Sequence, residues 1–261
     1  MYLSGRQSEI LEIAKTEGRV LVEELAQRFA VTPQTIRKDL NDLCDNSVLS
    51  RVHGGAIFPG GTENVKYEAR RSIAALEKQA IGREAAALIP NNASLFINIG
   101  TTTEAVGEAL RDHQELMVIT NNINVANRLR LFPSIEVVIA GGVVRGSDGG
   151  IVGEAAVDFI RQFKVDYAVI GASAIDADGA LLDFDFREVK VAQAIIANAR
   201  HVILVADSTK FERTAPVRIG HLSQVHTFIT DQCPLGSLRR IAADSNVRLI
   251  EISRPNASNL S

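Results

Sequence analysis

The chain has 261 residues, 46% hydrophobic and 23% charged, enough for one large folded domain and one small one. Its 28 basic and 31 acidic residues leave a formal net charge of −3, so overall charge points to no polyanionic partner and any basic footprint has to be local. No apolar run reaches the ~18 residues that span a bilayer, and the first residues hold no signal-peptide core.

These features predict a cytoplasmic protein with no membrane partner. Cys44 and Cys233 form no CxxC pair and read as free thiols of a reducing compartment. The five histidines have no ligand-like spacing, so no metal and no cofactor is expected.

Residues 6–17 carry Ile10, Ile13 and Ala14 at helical spacing, with Gly18 as a stop. The segment LVEELAQRFA repeats the pattern through Val22, Leu25, Ala26 and Phe29. A short break at Val31-Thr32 leads to a third helix, with Thr32 as its cap, Pro33 in its first turn and Ile36, Leu40 and Leu43 as its buried stripe. VLSRVHGGAIF then reads as two short strands around Gly54-Gly55. Three short helices and a hairpin make a winged helix-turn-helix over residues 1–58.

With Ile36 facing the core, Gln34, Lys38 and Asn41 point away from it, and Thr35 and Arg37 flank that side. Arg51 and His53 lie on the wing. Gln, Arg and Lys are side chains that reach base edges and phosphates, so these residues predict contact with double-stranded DNA. A merely solvated helix face is the alternative.

PGGTEN at 59–64 reads as a linker, and residues 66–89 as one helix ended by Pro90, so that 59–90 joins the two domains. From 91 to 252 the apolar segments SLFINIG, LMVIT, IEVVIA, DYAVIGA, HVILVAD, HTFIT and VRLIEI alternate with helical stretches at 103–111, 122–131, 154–163, 186–199 and 235–244. Such alternation predicts a mostly parallel sheet covered on both faces. Residues 253–261 read as a polar, flexible tail.

Ligands of such folds bind at the carboxyl ends of the strands. There the sequence offers Asn98, Gly100, Thr101, Thr102 and Thr103, where a glycine and hydroxyls open a helix. This suits a phosphate, and equally an ordinary helix cap. Further ends bring Asn121 and Asn122, which with Asp148 are candidates for ligand hydroxyls, then Gly141, Gly142, Arg145, a candidate with Lys210 for neutralising an anion, Gly153 and Glu154. Ser173, the acidic set Asp183, Asp185 and Glu188, and Lys210 follow, beside Asp207. Polar turns after five successive strands predict a small polar, phosphorylated ligand.

The segments TPQTIRKDL, RVHGGA, IGTTTEA, VITNN, AGGVVRGSDGGIVGE and DSTKF resemble the DeoR family of bacterial transcriptional repressors along nearly the whole chain. TNNINVAN, GGIVGEAAVDFI and LLDFDFREV are most similar to its glycerol-3-phosphate regulon repressor subfamily. The resemblance implies an operator-binding head, a domain whose phosphorylated sugar or glycerol-3-phosphate-like effector releases the DNA, and a homodimer or homotetramer.

The second domain also resembles the ribose-5-phosphate isomerase fold, which leaves a sugar-phosphate isomerase as the alternative. In GASAID, however, Ser173 and Ala174 stand where those enzymes carry two acids, and no glycine-rich lysine loop precedes Glu188, although Glu188 matches the family glutamate. No catalytic residue is therefore assigned.

Overall fold

The computed structural model describes residues 3–17, 19–46, 48–52, 54–57 and 67–252. Gly18, His53, the 59–64 linker and the 253–261 tail lie outside these. The chain divides into two compact units, Met1–Ile73 and Ala74–Ser261.

The first unit runs α1 (Gly5–Glu17), β1 (Arg19–Leu21), α2 (Val22–Arg28), α3 (Pro33–Asp45), β2 (Ser50–Val52), β3 (Gly55–Ile57) and α4 (Tyr67–Ser72). Ile10 and Ala14 of α1, Leu25 and Ala26 of α2 and Ile36, Leu40 and Leu43 of α3 share one core with Val20, Leu49 and Ala56. The turn from α2 to α3 is tight because Ala30 adopts φ 52. That lets Ala30 N–H donate to Gln27 O and Val31 N–H to Ala26 O, a helix end normally made by glycine.

Two expectations change here. The wing has three antiparallel strands in the order β1-β3-β2, not two. Arg19–Leu21 is three residues long and abuts α2, so it has no alternation to read. The single helix expected over 66–89 is two, because Ala74 turns into the left-handed region at φ 52 between α4 and the next helix.

The second unit runs α5 (Ala75–Ala87), β4 (Ser94–Ile97), α6 (Thr101–Ala109), β5 (Leu116–Thr120), α7 (Ile123–Leu129), β6 (Ile135–Ile139), β7 (Val143–Val144), β8 (Ile151–Val152), α8 (Glu154–Ile160) and β9 (Val165–Ile170). It continues with β10 (Ala174–Ile175), β11 (Ala180–Asp183), α9 (Phe186–Ala197), β12 (Ala199–Val205), β13 (Val217–His221), β14 (Thr227–Thr230), α10 (Gly236–Asp244) and β15 (Arg248–Glu251).

Seven strands form a parallel sheet in the order β15-β14-β12-β9-β4-β5-β6. Their side chains alternate between two cores. Leu95 and Ile97 pack with Ile81, Val106 and Val125 of α5, α6 and α7. Phe96 packs on the other side with Val157, Ile195 and Leu238 of α8, α9 and α10. Helices on both faces account for the nearly unbroken apolar strands.

The protein is thus a winged helix-turn-helix followed by a doubly covered α/β sheet. Outside the expected sheet stand an antiparallel trio, β10-β11-β13, and a β7-β8 hairpin. Among the described residues no helix is long and apolar enough to cross a membrane. Cys44 and Cys233 are free thiols.

Candidate DNA-reading face and effector pocket

In the first unit α3 is held from below and left open above. Thr32 Oγ1 accepts the Thr35 N–H at 3.2 Å and caps the helix after Pro33. Asp39, buried, takes Arg6 Nε of α1 at 2.6 Å, and Gln7 Nε2 donates to Asp42 at 3.2 Å. These polar ties fix α3 on α1 and leave Gln34, Arg37, Lys38 and Asn41 exposed along one side, with Thr32 and Thr35 at its start. Arg37 comes within 3.6 Å of Glu23, a solvent-exposed pair. Arg51 is exposed on β2.

In the second unit the polar residues gather at the carboxyl ends of the sheet. Gly100, at φ 148, precedes α6, which begins at Thr101 rather than 103, so the three threonines form its first turn. Thr103 Oγ1 is turned inward, 2.7 Å from Asn98 O and 2.8 Å from Gly100 O, and Thr102 is buried. Asn98 and Asn121 are also buried, and the Oδ1 of each has no hydrogen-bond partner among the described residues. The Asn121 amide is oriented by its Nδ2, which donates to Ile151 O at 3.1 Å. A buried acceptor without a donor costs about 1–3 kcal/mol, so these oxygens mark a place that wants hydroxyl or N–H donors.

Asn122, expected to meet ligand hydroxyls, is otherwise engaged. Its Oδ1 accepts from Asn124 N–H at the start of α7, and its Nδ2 donates to Glu104. Glu154, also expected at the pocket, is exposed and pairs with Lys190 at 2.6 Å. Gly141 faces open space. A side chain on Gly142 would press on Ile151 and Val152 O. Gly153, at φ 99, precedes α8.

Arg145 is the largest difference from the sequence expectation. It is not open to an anion but clamps three carboxylates from two segments. Its Nε and Nη2 grip Asp148 at 2.9 and 2.7 Å, Nη1 reaches Asp185 at 3.1 Å, and Nη2 reaches Glu188 at 2.5 Å. Asp183 stands beside this cluster and accepts the Ser173 hydroxyl at 2.9 Å.

Burial and the Asp183 charge push the Glu188 carboxyl up to about 8, outweighing the pull of Arg145. Asp185 is held down at about 2, chiefly by its hydrogen bond from Arg187. Burial alone would lower the Arg145 pKa, but its Asp148 and Glu188 partners raise it.

A second charged cluster joins Asp207 and Lys210, both offered by the sequence, to Lys78 and Arg213, which the sequence reading passed over. Asp207, fully buried at the end of β12, has Lys78, Lys210 and Arg213 around it, and all three are themselves buried. Burial would raise Asp207, but the Lys210 and Lys78 charges, the Thr209 hydroxyl and Arg213 outweigh it and hold the carboxylate low. Lys78 Nζ lies 3.8 Å from Asp207 Oδ2.

The signal for Lys78 was in the sequence. It shares the buried stripe of α5 with Ile81, Gly82, Ala85 and Ala86, so a lysine occupies an apolar position. Gly171 ties the two ends together, since a Cβ there would lie 3.7 Å from both Thr103 Cγ2 and Val205 O. The first turn of α6 and the Asp207 cluster are therefore neighbours.

The DeoR-like helix-turn-helix domain matches residues 6–61, and the DeoR C terminal sensor domain matches residues 73–232. The glycerol-3-phosphate regulon repressor of Escherichia coli (strain K12) is 46% identical over 249 residues, which cover 95% of this chain and 99% of that one. The glycerol-3-phosphate regulon repressor of Haemophilus influenzae is 49% identical over 236 residues, 90% of this chain and 92% of that one. Ribose 5-phosphate isomerase A from Neisseria gonorrhoeae is similar in structure with a TM-score of 0.38 at 12% identity, over 51% of this chain and 52% of that one.

Proposed function

The chain belongs to the DeoR family of transcriptional repressors, and from that premise we propose that it silences a glycerol or sugar catabolic operon until a phosphorylated effector of the glycerol-3-phosphate type releases it. The observation that carries the effector half is one end of the sheet with two kinds of demand. The unsatisfied Asn98 and Asn121 oxygens want hydroxyl donors, and the first turn of α6, with the cations of the Asp207 cluster near it, suits an anion. A polyol phosphate meets both demands.

Glu188 is locked to Arg145, and Ser173 spends its hydroxyl on Asp183, so neither is poised to move a proton on a substrate carbon. The pocket therefore binds its ligand without converting it. A homo-oligomer fits this role, because paired heads read paired half-sites. The test is whether glycerol-3-phosphate, and not glycerol, frees DNA already bound by the protein.

On the DNA side, Gln34, Thr35 and Asn41 read bases, while Arg37, Lys38, Arg51 and the α3 cap at Thr32 hold phosphates. Gln34→Ala is expected to relax preference at one operator position, worth about 1–3 kcal/mol. Arg37→Ala is expected to weaken all sequences alike and to shrink the salt slope by about one charge. Titrations against a panel of single-base operator variants at several salt concentrations separate the two. Uniform weakening by Gln34→Ala, or an unchanged slope for Arg37→Ala, would reverse the assignments.

A further inference from the structure

The chain crosses from one unit to the other at Ile73 and Ala74, and α5 starts immediately afterwards. Ala74 is held at φ 52, ψ 40, a conformation that is unfavourable for any residue with a Cβ. What closes the first turn of α5 is the Lys78 N–H, which donates to Ala74 O at 2.9 Å. The side chain of the same residue reaches Asp207 at the end of β12.

The position of Lys78 relative to α6 follows from how the helices pack. A Cβ on Gly82 would lie 2.6 Å from the Ala105 carbonyl carbon, so the two backbones touch there. Further along, His113 Nε2 lies 3.2 and 3.0 Å from the carbonyl oxygens of Ala86 and Ile89. The helices thus run the same way. One turn back from the Gly82–Ala105 contact sets Lys78 level with Thr101, the first residue of α6.

We propose that Lys78 is a ligand of the effector's anion and the switch that reports it: a phosphate ester at the α6 start draws the ammonium from Asp207, and the movement passes through the Lys78–Ala74 hydrogen bond to the left-handed joint between the units. The proposal rests on the effector reading above. A phosphate dianion carries more charge than the Asp207 carboxylate and is also held by the backbone N–H groups of the α6 first turn, so it competes with Asp207 for the ammonium. The movement needed is short, because one residue carries both ends of the link. It ends where the backbone already sits in a sparsely populated conformation, as expected of a bistable element.

The experiment uses the full chain and four proteins: wild type, Lys78→Gln, Lys78→Met and Ala74→Gly. Glycerol-3-phosphate affinity is measured by calorimetry, and DNA affinity with and without the ligand by fluorescence anisotropy. Both Lys78 variants are expected to bind glycerol-3-phosphate at least about tenfold more weakly. Ala74→Gly is expected to bind the ligand normally while releasing DNA about fivefold or more less completely, since a freed joint no longer transmits.

Wild-type ligand affinity in both Lys78 variants, or full release by Ala74→Gly, would overturn the proposal. If wild type itself ignores glycerol-3-phosphate, the effector reading fails separately. Thermal shift with inorganic phosphate then decides the anion site: a Lys78-dependent shift retains it, and equal behaviour of wild type and Lys78→Gln rejects it.

Discussion

Replacing Arg145 by methionine will cost the second unit about 3–5 kcal/mol, the range for removing one partner of a buried ionic network. Methionine keeps much of the volume, so the loss reports charge rather than a cavity. Without the guanidinium, Asp148, Asp185 and Glu188 lose their shared cation while Asp183 remains beside them.

The pH dependence follows from Glu188. Its folded value, about 8, lies above its ordinary 4.5. The folded protein therefore keeps a proton that the unfolded chain gives up. That contribution is full below about 4.5 and fades as pH rises through about 8. Asp185 works in the opposite sense: held at about 2, it contributes above 3.8 and is lost as pH falls through about 2. In Arg145→Met the crowded carboxylates are relieved by protonation, so the deficit should be larger at pH 8 than at pH 5. Urea denaturation of both proteins at the two pH values measures it. A deficit under about 1 kcal/mol, or one that grows on acidification, would mean that Arg145 does not organise the cluster.

Gly55→Val is expected to abolish DNA binding while leaving ligand binding to the second unit intact. Gly55 lies on β3, the central wing strand, paired with Leu21 on one side and Val52 on the other. A Cβ there would lie 2.0 Å from Val20 O and 3.1 Å from Leu21 Cα. Both are backbone atoms, so β1 and β3 would have to separate. Overpacking of this kind costs about 3 kcal/mol or more, against a stability of only about 5 kcal/mol for a domain of this size. Circular dichroism melting with DNA anisotropy reads the first unit, and calorimetry with glycerol-3-phosphate reads the second. Wild-type DNA affinity in this variant would show that the wing strand is dispensable.

The sequence made some elements legible and hid others for physical reasons. The three helices of the head announced themselves through apolar residues at helical spacing, and Thr32-Pro33 marked the start of α3. The seven sheet strands were visible as apolar runs because both faces of the sheet are covered. The wing's β1 and the β10-β11-β13 sheet were not, because strands of two to five residues carry no readable period.

The break between α4 and α5 hinges on the left-handed φ of an alanine, which nothing in residue type announces. Charges were countable, but their partners were not. Arg145 read as an anion ligand until the fold brought Asp185 and Glu188 to it across 40 and 43 residues. Lys78 carried a usable signal, a lysine in an apolar stripe, and its meaning came only with Asp207 beside it.

Ligand-controlled release is tested most directly by one titration. A duplex selected in vitro by the protein itself is held at a concentration that gives half-saturation, and glycerol-3-phosphate or glycerol is added while anisotropy is followed. Allosteric couplings of about 1–3 kcal/mol correspond to roughly 5- to 150-fold changes in affinity. Glycerol-3-phosphate is expected to weaken binding by an amount in that range, and glycerol to do nothing. DNA affinity unmoved by glycerol-3-phosphate and by other sugar phosphates, or weakened equally by glycerol, would contradict it.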